Sequence, residues 1–234
     1  MQLSTQQVKY LEQLTIQDAT PAAHDEGDEG GHEEDVETLQ GGNGDDSLTG
    51  GGGRQDILGG NGRDTLHGGA GFDFLSGENG DDELYGDQGK DKLSGGNGDD
   101  LLVGGYGPDS LIGGNGNDVL DGGNSPDTLT GGRGSDVFVL RLPGGEDDGG
   151  GGHGGGMGGG GGGGGHSDAE WDMITDFQMG VDLIALGNQI SFGSLSFSGE
   201  YIYFNSSDGD QRVLAQVSGI DANALTATSF FTLG

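Results

Sequence analysis

From Gly41 to Val139 a large apolar residue returns at every ninth position: Leu48, Ile57, Leu66, Leu75, Leu84, Leu93, Leu102, Leu111, Leu120, Leu129 and Phe138. The chain between them is mostly glycine, aspartate and asparagine, and it divides without slippage into eleven blocks, from GGNGDDSLT at Gly41 to GGRGSDVFV ending at Val139. Position one is always glycine. Position four is glycine except at Ser125, and position six is aspartate except at Gln55. The three residues after position six suit a short strand, with the middle side chain inward and its neighbours outward. Glycines at positions one, two and four suit a tight turn with positive φ. Each block thus predicts half a coil, and two blocks, eighteen residues, predict one coil of a parallel β-helix. The eleven apolar residues would form its single-file core.

Outside this register the pattern changes. Val8, Leu11, Leu14 and Ile16 predict a short, marginal amphipathic helix. From Ile190 the stretches ISFGSLSF, YIYF and RVLAQV alternate apolar and polar residues and predict antiparallel strands, closed by LTATSFF. The expected organisation is a helix and acidic disordered arm over 1–40, the coil over 41–139, a disordered glycine-rich insert over 140–168, and a β-rich cap over 169–234. The fold class is all-β. In the cap, Trp171, Ile174 and Phe177 are expected to cover the last open rung.

Composition sharpens the picture. Of 234 residues 58 are glycine, only 29% are hydrophobic, there is no cysteine, and the formal charge is -32. Such a balance disfavours nucleic acid and anionic lipid as partners and attracts cations. No apolar run reaches bilayer length, so membrane insertion is not expected. The first twenty residues lack the basic start and apolar core of a secretory signal.

A one-residue-wide core cannot offset the ordering of so much chain, and the acidic residues oppose it further. Asp46, Asp64, Asp82, Asp100, Asp118 and Asp136 would stand in one column, and Asp73, Asp91, Asp109 and Asp127 in the other. Neighbours about 4.8 Å apart would repel by roughly 1–4 kcal/mol per pair. Without a cation this segment is not expected to fold.

The blocks resemble the nonapeptide of the RTX (repeats-in-toxin) calcium-binding family. The resemblance implies a parallel β-roll in which Ca2+ sits between successive turns, held by carboxylates of the ten column aspartates and by backbone carbonyls. Among the carbonyl donors it points to Gly44, Gly62, Gly71, Gly80, Gly89, Gly98, Gly107 and Gly116. Hard oxygen donors, six to eight of them, suit calcium better than magnesium. Nine gaps between blocks, one weakened by the neutral Gln55 and one by Ser125, imply seven to nine ions. WDMITDFQMGVDLIAL, from Trp171, is similar to the capping segment that follows such rolls; Asp172, Asp176 and Asp182 match its acidic positions, and Asp172 and Asp176 are candidates for a further calcium site against a reading as caps and turns.

The charge-poor C-terminal tail resembles the uncleaved signal of type I secretion, which implies a type I exporter as partner and an extracellular location. His24 to Glu37, and His153, Met157 and His166 in the insert, are weaker candidates for metal binding than for solvated loops. No H-E-x-x-H, G-x-S-x-G or cysteine nucleophile is present, and 40 residues before the roll leave no room for a catalytic domain. The expectation is therefore a free-standing secreted calcium-binding protein, not an enzyme. The alternatives are a surface-recognition module for polysaccharide or mineral, and a non-catalytic remnant of a secreted hydrolase, against which the start Met argues. Outward residues such as Thr49, His67, Tyr85, Val103 and Asp121 form no lattice that would suit ice.

Overall fold

The computed structural model describes residues 3–14, 36–142, 171–187, 190–207 and 209–233. The acidic arm with His24 and His32, and the insert with His153, Met157 and His166, lie outside the described residues. The first strands are β1 (Glu37–Asn43), β2 (Ser47–Thr49), β3 (Gln55–Asn61), β4 (Thr65–Gly71), β5 (Phe74–Asn79) and β6 (Glu83–Gly89). Then follow β7 (Lys92–Asn97), β8 (Leu101–Tyr106), β9 (Ser110–Asn115), β10 (Val119–Asn124), β11 (Thr128–Arg133) and β12 (Val137–Leu140). Odd strands pair in parallel into one sheet and even strands into the other. The register advances by eighteen residues, as in Ile57 opposite Leu75 and Leu66 opposite Leu84. The chain is an all-β parallel solenoid, as its nine-residue pattern predicts.

Apart from β2, these strands are longer than three residues, because position one belongs to the strand and not to the turn. None of the position-one glycines has positive φ, whereas those at positions two and four do, Gly51 excepted, for example Gly60 at 114° and Gly62 at 129°. Position one needs glycine for room: a Cβ on Gly59 would collide with the Asp64 carboxylate and one on Gly95 with that of Asp100. Ser125 holds φ at 94° in a place built for glycine, which is the strain its sequence position predicts.

From Ile57 to Phe138 the predicted core file is at most 2% exposed. Leu48, at the open end, is partly buried, and Leu39 on β1 stands beyond it, opposite Ile57. One half-coil therefore precedes the first block at Gly41.

The C-terminal region continues the solenoid before it caps it. Its strands are β13 (Asp172–Ile174), β14 (Leu183–Leu186), β15 (Leu195–Ser198), β16 (Tyr201–Asn205), β17 (Gln211–Val217) and β18 (Phe230–Thr232). β13 lies parallel on β11 and β14 on β12; β17 and β18 add in parallel again. β15, β16 and β17 form the antiparallel meander expected from Ile190, whereas β13 and β14 continue the parallel stack. The cause is local: Asp172-Met173-Ile174 and Asp182-Leu183-Ile184 repeat the Asp–x–apolar phrase of the blocks, so Ile174 and Ile184 enter the core file, both 0% exposed. Phe177 closes against Phe138, ring centroids 6.0 Å apart. Trp171 does not join the core; it is partly buried and meets Tyr201 edge-on at 5.8 Å.

The helix α1 (Thr5–Leu14) is docked on the outer face of the even-strand sheet, where Leu101, Val119, Val137 and Val139 make that face apolar. It presents Tyr10 and Leu11, buried, and leaves Val8 42% exposed. Of the expected face Leu11 is buried but Val8 is not, because Tyr10 offers more apolar area and its hydroxyl reaches the carbonyls of Asp82 and Asp99 at 3.3 and 3.1 Å. Gln7 donates to the Ser135 carbonyl at 2.6 Å. Among the described residues no helix is long and apolar enough to cross a membrane.

Candidate metal centre

Position six stands immediately before each strand, or at its first residue in the case of Gln55, so its side chain sits at the corner between turn and sheet, once per coil in each column. There the aspartates form the two predicted columns, and one hydrogen bond repeats along both. The Oδ1 of each aspartate accepts the backbone N–H of the residue one coil earlier. Asp46 donates to Asp64, Asp64 to Asp82, Asp82 to Asp100 and Asp91 to Asp109, all at 2.7–2.8 Å. Gln55 donates to Asp73 in the same way at 2.7 Å.

The other oxygen is left over. Oδ2 of Asp46, Asp64, Asp73, Asp82, Asp91, Asp100, Asp109, Asp118, Asp127 and Asp136 is buried without a hydrogen-bond partner. A buried, unpaired carboxylate oxygen is costly, and ten of them in two rows make a site that lacks positive charge. Gln55 points its Oε1 at Gly50 as the aspartates point Oδ2 at their own position-one glycines. It offers the same kind of oxygen there without the charge.

Burial drives these carboxyl groups up. Asp82 rises to about 6, Asp109, Asp136 and Asp172 to about 7, Asp91 and Asp118 to about 8, and Asp100 and Asp127 to about 9. Asp64, Asp73 and Asp182 move the same way for the same reason. The ladder hydrogen bond pulls in the opposite direction, and for most of the column charged neighbours add to the rise.

Among the described residues no three His, Asp or Glu side chains converge on one point, so a cation in these gaps must be completed by backbone oxygen. The position-four glycines are the candidates for it. The carbonyls of Gly44, Gly62, Gly71, Gly80, Gly89, Gly98 and Gly116 each point at the position-four glycine of the next coil, so closely that a Cβ there would collide. After Gly107 that neighbour is Ser125, the block that brings a Cβ to this place. Carboxylate and carbonyl oxygens, with no sulfur or imidazole, are a donor set for a hard divalent cation, and the residues fit calcium.

Asp172 and Asp176, neighbours in sequence, serve different places. Asp172 takes the column position after Asp127, whose N–H it accepts at 3.1 Å. Asp176 accepts from Gly131 and Gly132 at 2.9 and 2.8 Å, capping the last regular turn, and its charge acts on Asp136 and Asp182 in the other column. Asp182, not singled out as a ligand from the sequence, continues that column by accepting from Asp136 at 3.0 Å. Its signal was there in Val181-Asp182-Leu183-Ile184, but the two phrases of the cap are ten residues apart, not nine.

A family model described as the RTX calcium-binding nonapeptide repeat (4 copies) matches residues 34–66, 58–93, 94–129 and 116–140. No curated protein matches the chain. Among solved structures the chain is similar to the extracellular lipase LipA from Serratia marcescens, with 14% identity and a TM-score of 0.34, over 82% of this chain and 39% of that one. It is also similar to the AlgE6R3 subunit from the Azotobacter vinelandii mannuronan C5-epimerase, with 26% identity and a TM-score of 0.21, over 88% of this chain and 86% of that one. The chain spans about two fifths of the lipase's length, and at these TM-scores neither likeness bears on activity.

Proposed function

Because residues 34–140 belong to the RTX calcium-binding nonapeptide repeats, we propose that this chain is a secreted protein whose roll folds when calcium enters the gaps between its turns. The observation that carries this reading is the double row of buried, unpaired Oδ2 atoms from Asp46 to Asp136. Those carboxylates, with the position-four carbonyls, would hold the ions. Calcium, when bound, supplies the positive charge that lets buried carboxylates stay ionised. Seven to nine ions fit the gaps between the blocks, and Asp172 and Asp182 add one gap to each column.

Folding and metal binding are then one equilibrium. Extracellular calcium modules work at about 10⁻⁴–10⁻³ M, so the chain stays unfolded in a calcium-poor cytoplasm and threads a type I exporter, its C-terminal tail acting as the signal. It folds outside, in the matrix or at the cell surface. The role is binding and not catalysis, since the repeats themselves bring metal ligands and no nucleophile or acid–base pair set apart from them.

Far-UV circular dichroism during calcium titration, with magnesium as control, tests the reading. A cooperative coil-to-β transition with calcium alone is expected. A full β spectrum in chelator, unmoved by calcium, overturns it.

A further inference from the structure

The outer face of the odd-strand sheet holds a depression of about 420 Å³ walled by Arg54, Phe74 and Lys92 and floored in part by Leu58 and Ile112. Its layout follows from the coil register. At positions five and seven, three successive coils of this sheet offer Arg54 and Asp56, then Phe72 and Phe74, then Lys90 and Lys92. An aromatic coil is thus bracketed by two cationic ones. The Arg54 guanidinium lies 4.6 Å and the Lys92 ammonium 5.0 Å from the Phe74 ring centre, and both lie 5.8 Å from that of Phe72. The rings hold the two cations in place by cation–π attraction, two coils or roughly 10 Å apart along the roll.

This concentration of positive charge runs against the chain as a whole, which has 8 Lys and Arg for 40 Asp and Glu. The charges are also poorly answered from within. Among the described residues the Arg54 guanidinium pairs with Asp56 alone, at 3.6 Å, and its Nε is buried with no hydrogen-bond partner. Among the described residues Lys92 has no carboxylate partner. Beside them lie Ile112, 46% exposed, and the hydroxyls of Thr38, Ser76, Ser94 and Ser110.

We propose that this depression binds an anionic polysaccharide. Arg54 and Lys92 would pair with its acid groups, Leu58 and Ile112 would take the apolar face of a sugar ring, and the hydroxyls would meet those of the sugar. An acidic peptide fits less well. The site lies on the face of a sheet, where backbone donors and acceptors are used in the parallel ladder, so a peptide cannot add as a strand. The proposal rests on the calcium-folded roll, which brings the three coils together.

The test uses the full chain in calcium, with dextran sulfate and polygalacturonate as sulfated and carboxylated probes, dextran as the neutral control and poly-glutamate as the acidic peptide. Both anionic polysaccharides, or the one whose acid group fits, should bind in a salt-sensitive way. Arg54→Ala and Lys92→Ala should each weaken binding about tenfold, as for one lost charge-assisted contact, while Arg133→Ala, an exposed cation elsewhere, should not. Calcium titrations by circular dichroism should be the same for all variants. Equal binding of dextran or of poly-glutamate overturns the proposal, as does undiminished binding by the Arg54→Ala/Lys92→Ala double variant. If the chain proves folded in chelator, the calcium reading fails while the polysaccharide comparison still decides this one.

Discussion

Asp172 accepts the backbone N–H of Asp127 at 3.1 Å across 45 residues of chain, the same bond that joins column aspartates 18 residues apart. Both ladders are therefore set by stacking in space, and they run past the last recognisable block.

Asp100→Asn tests the middle of a column. The amide can still accept the N–H of Asp82, which now bonds Asp100 Oδ1 at 2.8 Å, but it carries no charge. The calcium midpoint should rise about tenfold, because affinity follows the number of charged ligands. In chelator at pH 5, where protonation favours the metal-free fold, the same variant should melt higher than the native chain, since the amide needs no proton to be buried neutral. A calcium titration and a melt in chelator check the two halves.

The raised carboxyl groups give the metal-free fold a pH dependence of definite sign. Between the ordinary value of 3.8 and the folded values of about 6 to 9 for Asp82, Asp91 and Asp100, the folded state binds more protons than the unfolded one. Its stability is fully present below that window and falls as pH rises through it. Circular dichroism in chelator should show β structure growing as pH is lowered from 9 to 5. Growth in the opposite direction would contradict the burial of these groups.

Ser125→Gly should stabilise the calcium-loaded roll by about 1 kcal/mol, the usual cost of a non-glycine residue held at positive φ. The φ of 94° at Ser125 is the strain removed, and thermal melts in saturating calcium read the gain.

Tyr10→Phe keeps the buried ring and removes the hydroxyl that reaches Asp82 and Asp99. About 1 kcal/mol of stability should be lost, as for one net hydrogen bond. Because those carbonyls belong to the turns proposed to hold calcium, the calcium midpoint should rise with it; a melt and a titration on the same sample compare the two.

Most of the roll was legible because its instructions are local and repeated: Leu66 and Leu84 meet because each stands two residues after a column aspartate. What escaped the sequence depended on contacts made elsewhere. Val8 and Tyr10 compete to face the sheet, and only the apolar patch of Leu101, Val119 and Val137 decides for Tyr10. Of the three residues expected over the open rung, Ile174 and Phe177 are buried there, while Trp171 packs on Tyr201 instead. Asp182 was hidden by one extra residue between two half-coils. The positions of its neighbours in the stack, not its spacing, assign it to a column.

The step between β12 and β13 has a consequence for how such a chain can be built. Strand pairing resumes with Thr128 opposite Met173 and Val137 opposite Leu183, as if the chain between Leu142 and Trp171 did not count. That corner is a port: the two sheets keep one stacking order across it, so a module grafted there would be deployed by the same calcium that assembles its chassis.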